Sequence, residues 1–298
     1  MLARIQQALT LSTMLLVSLL AWRLADAGHF GWAAVVAPLA FVVYPLVLAT
    51  EFGLMWVVNR RAGIRVDARS WLRAWWGEVG AGLRVFGWRQ PWRSRQYPDL
   101  PTGTAASTPG VVLVHGFFCN RGLWNPWLQR LSYEGVPWIA VDLEPVFGSI
   151  DAYVPTIEAA VQRMEQATGR APVVVAHSMG GLAVRRWLVD TRSPSRVARV
   201  ITLGSPHHGT WLARFAVSMN ARQMRQGSTW LRGLAQKESG QARPPFTCFY
   251  SPLDNIVFPA DTATLPGADN RRLAGAAHVD MVHHEEPLNA LLRAVSRF

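Results

Sequence analysis

Apolar positions in this chain are arranged in three successive ways. Residues 5–22 and 30–50 carry no charged side chain. The second run, at 21 residues, is long enough to cross a bilayer as a helix, and its apolar character resumes after Glu51 from Phe52 to Val58. The first run, at 18 residues, lies at the lower limit. Between Asp67 and Trp92 arginine is mixed with tryptophan, and Leu72, Trp76, Val79, Leu83 and Phe86 recur at three- and four-residue steps, which predicts a helix with one apolar stripe. Gly77, Gly80, Gly82 and Gly87 weaken that helix. From Gly110 onward short β-branched runs alternate with longer mixed segments. Strands are expected at 111–114, 138–141, 173–176, 197–203 and 246–250, with a weaker one near 271–273, and helices over 122–134, 150–168 and 181–190. Such alternation predicts an α/β fold with a parallel sheet covered on both faces. Residues 98–109, rich in Pro, Gly, Ser and Thr, read as a linker. The expected organisation is a membrane anchor of two transmembrane helices over 1–58, an Arg/Trp-rich segment and linker over 59–109, and a catalytic domain over 110–298.

Two readings stand for the first run. Arg4 before it and Ala25-Asp26-Ala27 after it fit a cleaved signal peptide. An uncleaved helical hairpin is preferred, because cleavage would leave only a few residues before the second span. Asn59-Arg60-Arg61, then Arg65, Arg69, Arg73, Arg84, Arg89, Arg93 and Arg95, follow that span, against Arg23 and His29 before it. The positive-inside rule therefore places the remainder of the chain in the cytoplasm, on a multi-pass protein of the inner (cytoplasmic) membrane. The net charge of +11 is almost wholly arginine, since Lys237 is the sole lysine. No nucleic-acid motif accompanies it, so anionic lipid headgroups are the expected partner. The Trp/Arg segment suits the bilayer interface, and equally a helix packed on the catalytic domain. Cys119 and Cys248 form neither a metal pattern nor a disulfide framework. Oligomeric state is not legible.

The chemistry centres on Val173-Val174-Val175-Ala176-His177-Ser178-Met179-Gly180-Gly181. A strand that stops at a serine flanked by small residues, with a helix following, is the layout of a nucleophile elbow. Ala176 stands where the first glycine of G-x-S-x-G is usual, and Gly180 keeps the second. Three further motifs follow the same order along the chain: His115-Gly116-Phe117-Phe118 directly after a strand, Gly204-Ser205-Pro206-His207-His208-Gly209, and Asp254-Asn255-Ile256-Val257-Phe258-Pro259. With His278 twenty residues before the C-terminus, the region 110–298 resembles an α/β-hydrolase of the bacterial lipase and esterase type.

The resemblance implies a Ser178, Asp254 and His278 triad, with His283 and His284 as rival bases, and an oxyanion hole from the N–H groups of Phe117 and Met179. His115, Gly116, Phe118 and His177 would line the substrate. His207 and His208 read as packing and turn residues, since adjacent histidines diverge and no acid lies nearby. Asp280 matches a calcium position of some bacterial lipases, but the other ligand positions lack counterparts, so neither metal nor cofactor is expected. The family's first antiparallel strands are not evident, which implies a reduced sheet. Phe117, Phe118, Trp124, Trp211, Phe215 and Met219 suggest apolar walls, and residues 211–241 exceed a simple crossover and suit a lid. The expected activity is ester hydrolysis through an acyl-enzyme, on a lipid or acyl-ester substrate. An acyltransferase or thioesterase on the same triad, and a non-catalytic membrane scaffold, are the competing readings.

Overall fold

The computed structural model describes residues 1–102 and 108–296. Part of the expected linker, 103–107, lies outside the described residues. The helices in chain order are α1 (Leu2–Asp26), α2 (Phe30–Arg61), α3 (Ala68–Arg84), α4 (Gln90–Trp92), α5 (Asn125–Tyr133), α6 (Val154–Thr168), α7 (Met179–Thr191), α8 (Met219–Gln223), α9 (Thr229–Glu238) and α10 (Glu285–Val295). The strands are β1 (Val111–Val114), β2 (Trp138–Ala140), β3 (Val173–His177), β4 (Arg199–Leu203), β5 (Phe246–Tyr250) and β6 (Asp269–Arg272).

All six strands pair in parallel in the order β2-β1-β3-β4-β5-β6. β1 and β3 are wholly buried, which is why they read as valine-rich apolar runs rather than as alternation. The period of two still decides which face each side chain serves. Val112, Val114, Val174, Ala176 and Val200 pack beneath α6, α7 and α9. Val111, Leu113, Val173, Val175, Ile201 and Leu203 pack under α5 and α10. β6 is polar and largely exposed, as an edge strand tolerates. Among the described residues, a lone antiparallel bridge between Leu100 and Trp138 stands where further antiparallel strands were in question.

α1 and α2 form a hairpin whose middle turns apolar side chains outward, Leu16, Phe41 and Leu46 among them. Helices of 25 and 32 residues reach about 37 and 48 Å at about 1.5 Å per residue. Both are long and apolar enough to cross a bilayer. The C-terminal part of α2 behaves differently. Leu48, Phe52, Met55 and Asn59, at steps of four, three and four, are buried. Phe52 and Met55 join Leu253, Phe258 and Ala277 in a third apolar cluster.

α3 begins at Asp67, whose carboxylate accepts the Ser70 N–H at 2.9 Å. The apolar stripe read from the sequence is divided here. Val79 is buried, but Leu72, Trp76 and Leu83 face outward, and the packed face consists of Ala74, Glu78, Val79, Ala81 and Gly82. Close approach explains the small residues. A Cβ on Gly82 would fall 1.7 Å from the Tyr44 hydroxyl oxygen of α2. Trp71 and Trp75 pin the two helices by donating their indole N–H to the carbonyls of Phe52 (3.3 Å) and Pro45 (3.0 Å). Packing on the rest of the chain is thus observed for one face of this segment.

Candidate active site

Ser178 sits between β3 and α7 with φ 54° and ψ −129°, a strained conformation for a residue with a side chain. Two glycines make room for the turn. A Cβ on Gly180 would meet the carbonyl oxygens of His115 and Val114 at 2.6 and 2.8 Å, and one on Gly116 would meet the Ser178 Cβ at 2.7 Å. Ala176, at the position of the usual first glycine, points its methyl into the core and meets no such obstacle.

The Ser178 Oγ lies 2.9 Å from His278 Nε2, and His278 Nδ1 lies 2.9 and 3.0 Å from the two Asp254 oxygens. A carboxylate accepts only, so Nδ1 carries the proton and Nε2 is free to accept from the serine hydroxyl. Asp254 follows β5, and its Oδ1 also accepts the N–H groups of Ile256 (2.9 Å) and Val257 (2.8 Å). All three residues are nearly buried. Burial alone would lower His278, but the charge and hydrogen bond of Asp254, with smaller contributions from Glu78 and Glu51, leave it above the ordinary imidazole value. The rival histidines are committed elsewhere. His283 Nε2 accepts from the Arg89 guanidinium at 2.7 Å, and His284 pairs with Asp280 at 3.0 Å.

Met179 opens α7, so its N–H lacks an intrahelical acceptor. The Phe117 N–H has no backbone acceptor among the described residues. Phe118, next along, has φ 53°, a second strained residue on the other side of Ser178. The four residues expected to line substrate separate into two pairs. Gly116 backs Ser178 closely, and Phe118 belongs to an aromatic group with Phe117 and the half-exposed Phe147, ring centroids 6.0–6.4 Å apart. The two histidines instead hold backbone. His115 Nδ1–H donates to Gly116 O at 2.9 Å and its Nε2 accepts the Leu143 N–H at 2.9 Å. His177 donates from Nε2 to His278 O at 3.0 Å. Burial, then the nearby His278, pushes His177 down to about 3, so it stays neutral.

Other expected features also move. Trp124 is no wall: it is fully buried edge-on against Trp127 at 5.2 Å, since the bulky indole completes the core beneath α5. The region 211–241 is not one cover. Its second half is α9, docked through Leu231, Leu234 and a bidentate Arg185–Glu238 pair (2.8 and 2.6 Å). The first half exposes the apolar residues Phe215, Val217 and Met219. Trp211 packs against Phe258 with ring centroids 5.8 Å apart, and the Arg214 guanidinium lies 3.8 Å over its ring. His207 is buried between Thr202 (3.1 Å) and Cys248 (3.7 Å), a packing position.

Sequence reasoning missed a layer behind the site. Asn59 of α2 donates to Pro252 O (2.8 Å) and accepts from Ala260 N–H (3.1 Å), on either side of Asp254. Glu51 accepts from Asn255 Nδ2 at 2.8 Å, and Asn255 Oδ1 accepts the His278 N–H at 3.2 Å. Glu78 of α3 accepts the N–H groups of Val279 and Asp280. One signal was available: Glu78 is the only acidic residue between Asp67 and Asp99, set among glycine and alanine.

A strained serine between a central parallel strand and a helix, with histidine and aspartate delivered by loops at the same end of the sheet, defines a class. A sequence profile of the alpha/beta hydrolase family matches residues 111–295, and the chain belongs to that family. Among solved structures it is similar to the lipase BlEst2 of Bacillus licheniformis in its mature form, with 19% identity and a TM-score of 0.57 over 63% of this chain and 92% of that one. It is also similar to a structure from the study of LipS and LipT, two metagenome-derived lipolytic enzymes, with 13% identity and a TM-score of 0.52 over 68% of this chain and 99% of that one. At these identities the likeness is one of fold.

Proposed function

We propose that this alpha/beta hydrolase is a membrane-anchored serine hydrolase that cleaves carboxylic esters, with lipid or other acyl esters as substrate. The observation that carries the reading is the unbroken chain of hydrogen bonds from Ser178 through His278 to Asp254. A serine hydroxyl is a poor nucleophile at neutral pH unless a base adjoins it. His278 takes the proton as Ser178 attacks the ester carbonyl, and Asp254 holds the tautomer and stabilises the imidazolium. The N–H groups of Phe117 and Met179 receive the developing oxyanion, each donor contributing on the order of a hundredfold or more in rate. The imidazolium then protonates the leaving alcohol, and a water activated by His278 releases the acid.

Support for a lipid-like substrate comes from the apolar residues around this end of the sheet. Phe118 and Phe147 lie beside the oxyanion loop, and Phe215, Val217 and Met219 are exposed on the segment that follows Trp211. The two solved structures named above are a lipase and a lipolytic enzyme. In this reading residues 1–58 anchor the chain, the Arg/Trp-rich part of 59–109 from Trp71 to Trp92 lies along the inner leaflet among anionic headgroups, and 110–298 carry the chemistry. Burial of Leu2 and the Gln6–Gln90 amide contact (2.7 Å) support a hairpin whose two ends lie on one side of the membrane. Arginine density favours the cytoplasmic side.

A chain-length series of p-nitrophenyl esters on the purified chain in detergent tests the substrate. Activity is expected to rise toward medium or long acyl chains and to vanish in Ser178→Ala. Activity confined to acetate, or surviving that substitution, would sink the proposal. For topology, a fluorescent protein fused after Phe298 should glow and alkaline phosphatase fused there should be silent; the reverse would place the site outside.

A further inference from the structure

The backbone N–H and carbonyl of His278 and the next two N–H groups are held by side chains, and the farthest-reaching of these holders comes from outside the sheet. The His278 carbonyl accepts from His177, and its own N–H donates to Asn255. The next two N–H groups, of Val279 and Asp280, donate to one carboxylate. Glu78 of α3 accepts from Val279 with both oxygens at 3.0 Å and from Asp280 at 2.9 Å. Glu78 is 3% exposed. A carboxylate taken out of water without partners is strongly unfavourable, so its place beneath the catalytic loop depends on these N–H groups. The same arrangement makes α3 and the histidine loop inseparable.

We propose that Glu78 is a positioning residue for His278, fixing the loop that presents the imidazole, so that the segment delivered by the membrane hairpin is part of the catalytic unit and not merely a tether. The inference rests on the triad reading above. Glu78 acts on His278 in two ways. It sets geometry through the backbone, and its charge favours the imidazolium. Burial pushes Glu78 up to about 7, against the opposing pull of His278 and of the Val279 and Asp280 N–H groups. The titratable and charged groups facing the pair are Asp254, Asp280, His177 and Cys119 from the hydrolase fold, and Tyr44 and Glu51 from α2. None of them contacts both the Val279 and Asp280 N–H groups, so none replaces Glu78 in holding the loop.

The test uses the full chain in detergent, with Glu78→Ala and Glu78→Gln, and reads kcat, KM and the pH profile on a p-nitrophenyl ester together with fluorophosphonate labelling. Glu78→Ala should lower kcat by about tenfold or more while KM changes by less than about threefold, as expected when a reacting group is displaced but binding is not. Glu78→Gln keeps an oxygen acceptor but no charge. It should recover part of that loss and move the acid limb of kcat/KM to lower pH, because a charge favouring the imidazolium is gone. A Glu78→Ala enzyme within about twofold of wild type in kcat would overturn the proposal. If Glu78→Ala fails to fold, Glu78→Gln decides: a lowered kcat with KM unchanged supports the proposal, and a kcat within about twofold of wild type overturns it. Wild type separates the two failures: no Ser178-dependent labelling or turnover rejects the triad, whereas Ser178-dependent turnover indifferent to Glu78 rejects this inference only.

Discussion

Gly180→Ala adds one methyl at the point where β1, the oxyanion loop and α7 converge. The new Cβ would lie 2.6 Å from His115 O, 2.8 Å from Val114 O and 3.2 Å from the Val114 carbonyl carbon. Heavy atoms rest at roughly 3.5 Å or more, so the methyl is short of room by roughly 0.7–0.9 Å against the two oxygens. Both are backbone atoms, so no rotamer change relieves the clash. Either α7 lifts, carrying Ser178 and the Met179 N–H, or the end of β1 retreats, carrying Gly116 and the Phe117 N–H. Overpacking of this kind costs about 1–3 kcal/mol. For a chain of this size that lowers the thermal midpoint by about 2–12 °C. Displacing reacting groups by up to about 1 Å costs on the order of tenfold to a hundredfold in kcat. Steady-state kinetics on a soluble ester and a thermal melt, both in detergent, read the two effects. Ala176→Gly is the control: its methyl lies in the core, so stability should fall by about 0.5–1 kcal/mol with little change in kcat. A Gly180→Ala enzyme with wild-type kcat and melting would refute the claim that this contact sets the site.

The pH profile follows from His278. Only the neutral imidazole can take the serine proton, and its proton is held more tightly than usual, so kcat/KM should be lost on acidification through a limb above about 6.5. A limb at or below that value would contradict the burial and charge argument. EDTA should leave kcat within about twofold, since a bound metal would show as chelator sensitivity. The Asp280 carboxylate is engaged by His284, and no group of three or more His, Cys, Asp or Glu is placed to hold a metal among the described residues. Strong loss restored by calcium would promote Asp280 to a ligand.

Much of the fold was legible because parallel strands buried on both faces read as short β-branched runs with helices between them, and β1, β3 and β5 lie where those runs lie. The elbow was legible because strain at Ser178 demands a small residue at Gly180. The family resemblance also pointed to the aspartate and histidine that the structure brings to Ser178. The layer behind them was not legible. Glu78 meets Val279 across 201 residues, and Asn59 meets Pro252 across 193. Local pattern carries no information about such partners. α3 misled for a related reason. Its buried positions are mostly small and include one carboxylate, Trp71 and Trp75 pack beside them, and Leu72, Trp76 and Leu83 are left outside, so the stripe read from periodicity is packed only at Val79 and Phe86. His115 and His177 looked like substrate contacts because motifs mark position; only the three-dimensional hydrogen bonds to Leu143 and His278 assign them to holding backbone.

Labelling with a fluorophosphonate probe, read by peptide mass spectrometry, tests the central claim most directly, because the probe reports an activated serine without assuming a substrate. The account predicts one adduct per chain, on the peptide containing Ser178, absent in Ser178→Ala and slowed about a thousandfold or more in His278→Ala. An adduct on another serine, or labelling of Ser178 at the wild-type rate without His278, would contradict it.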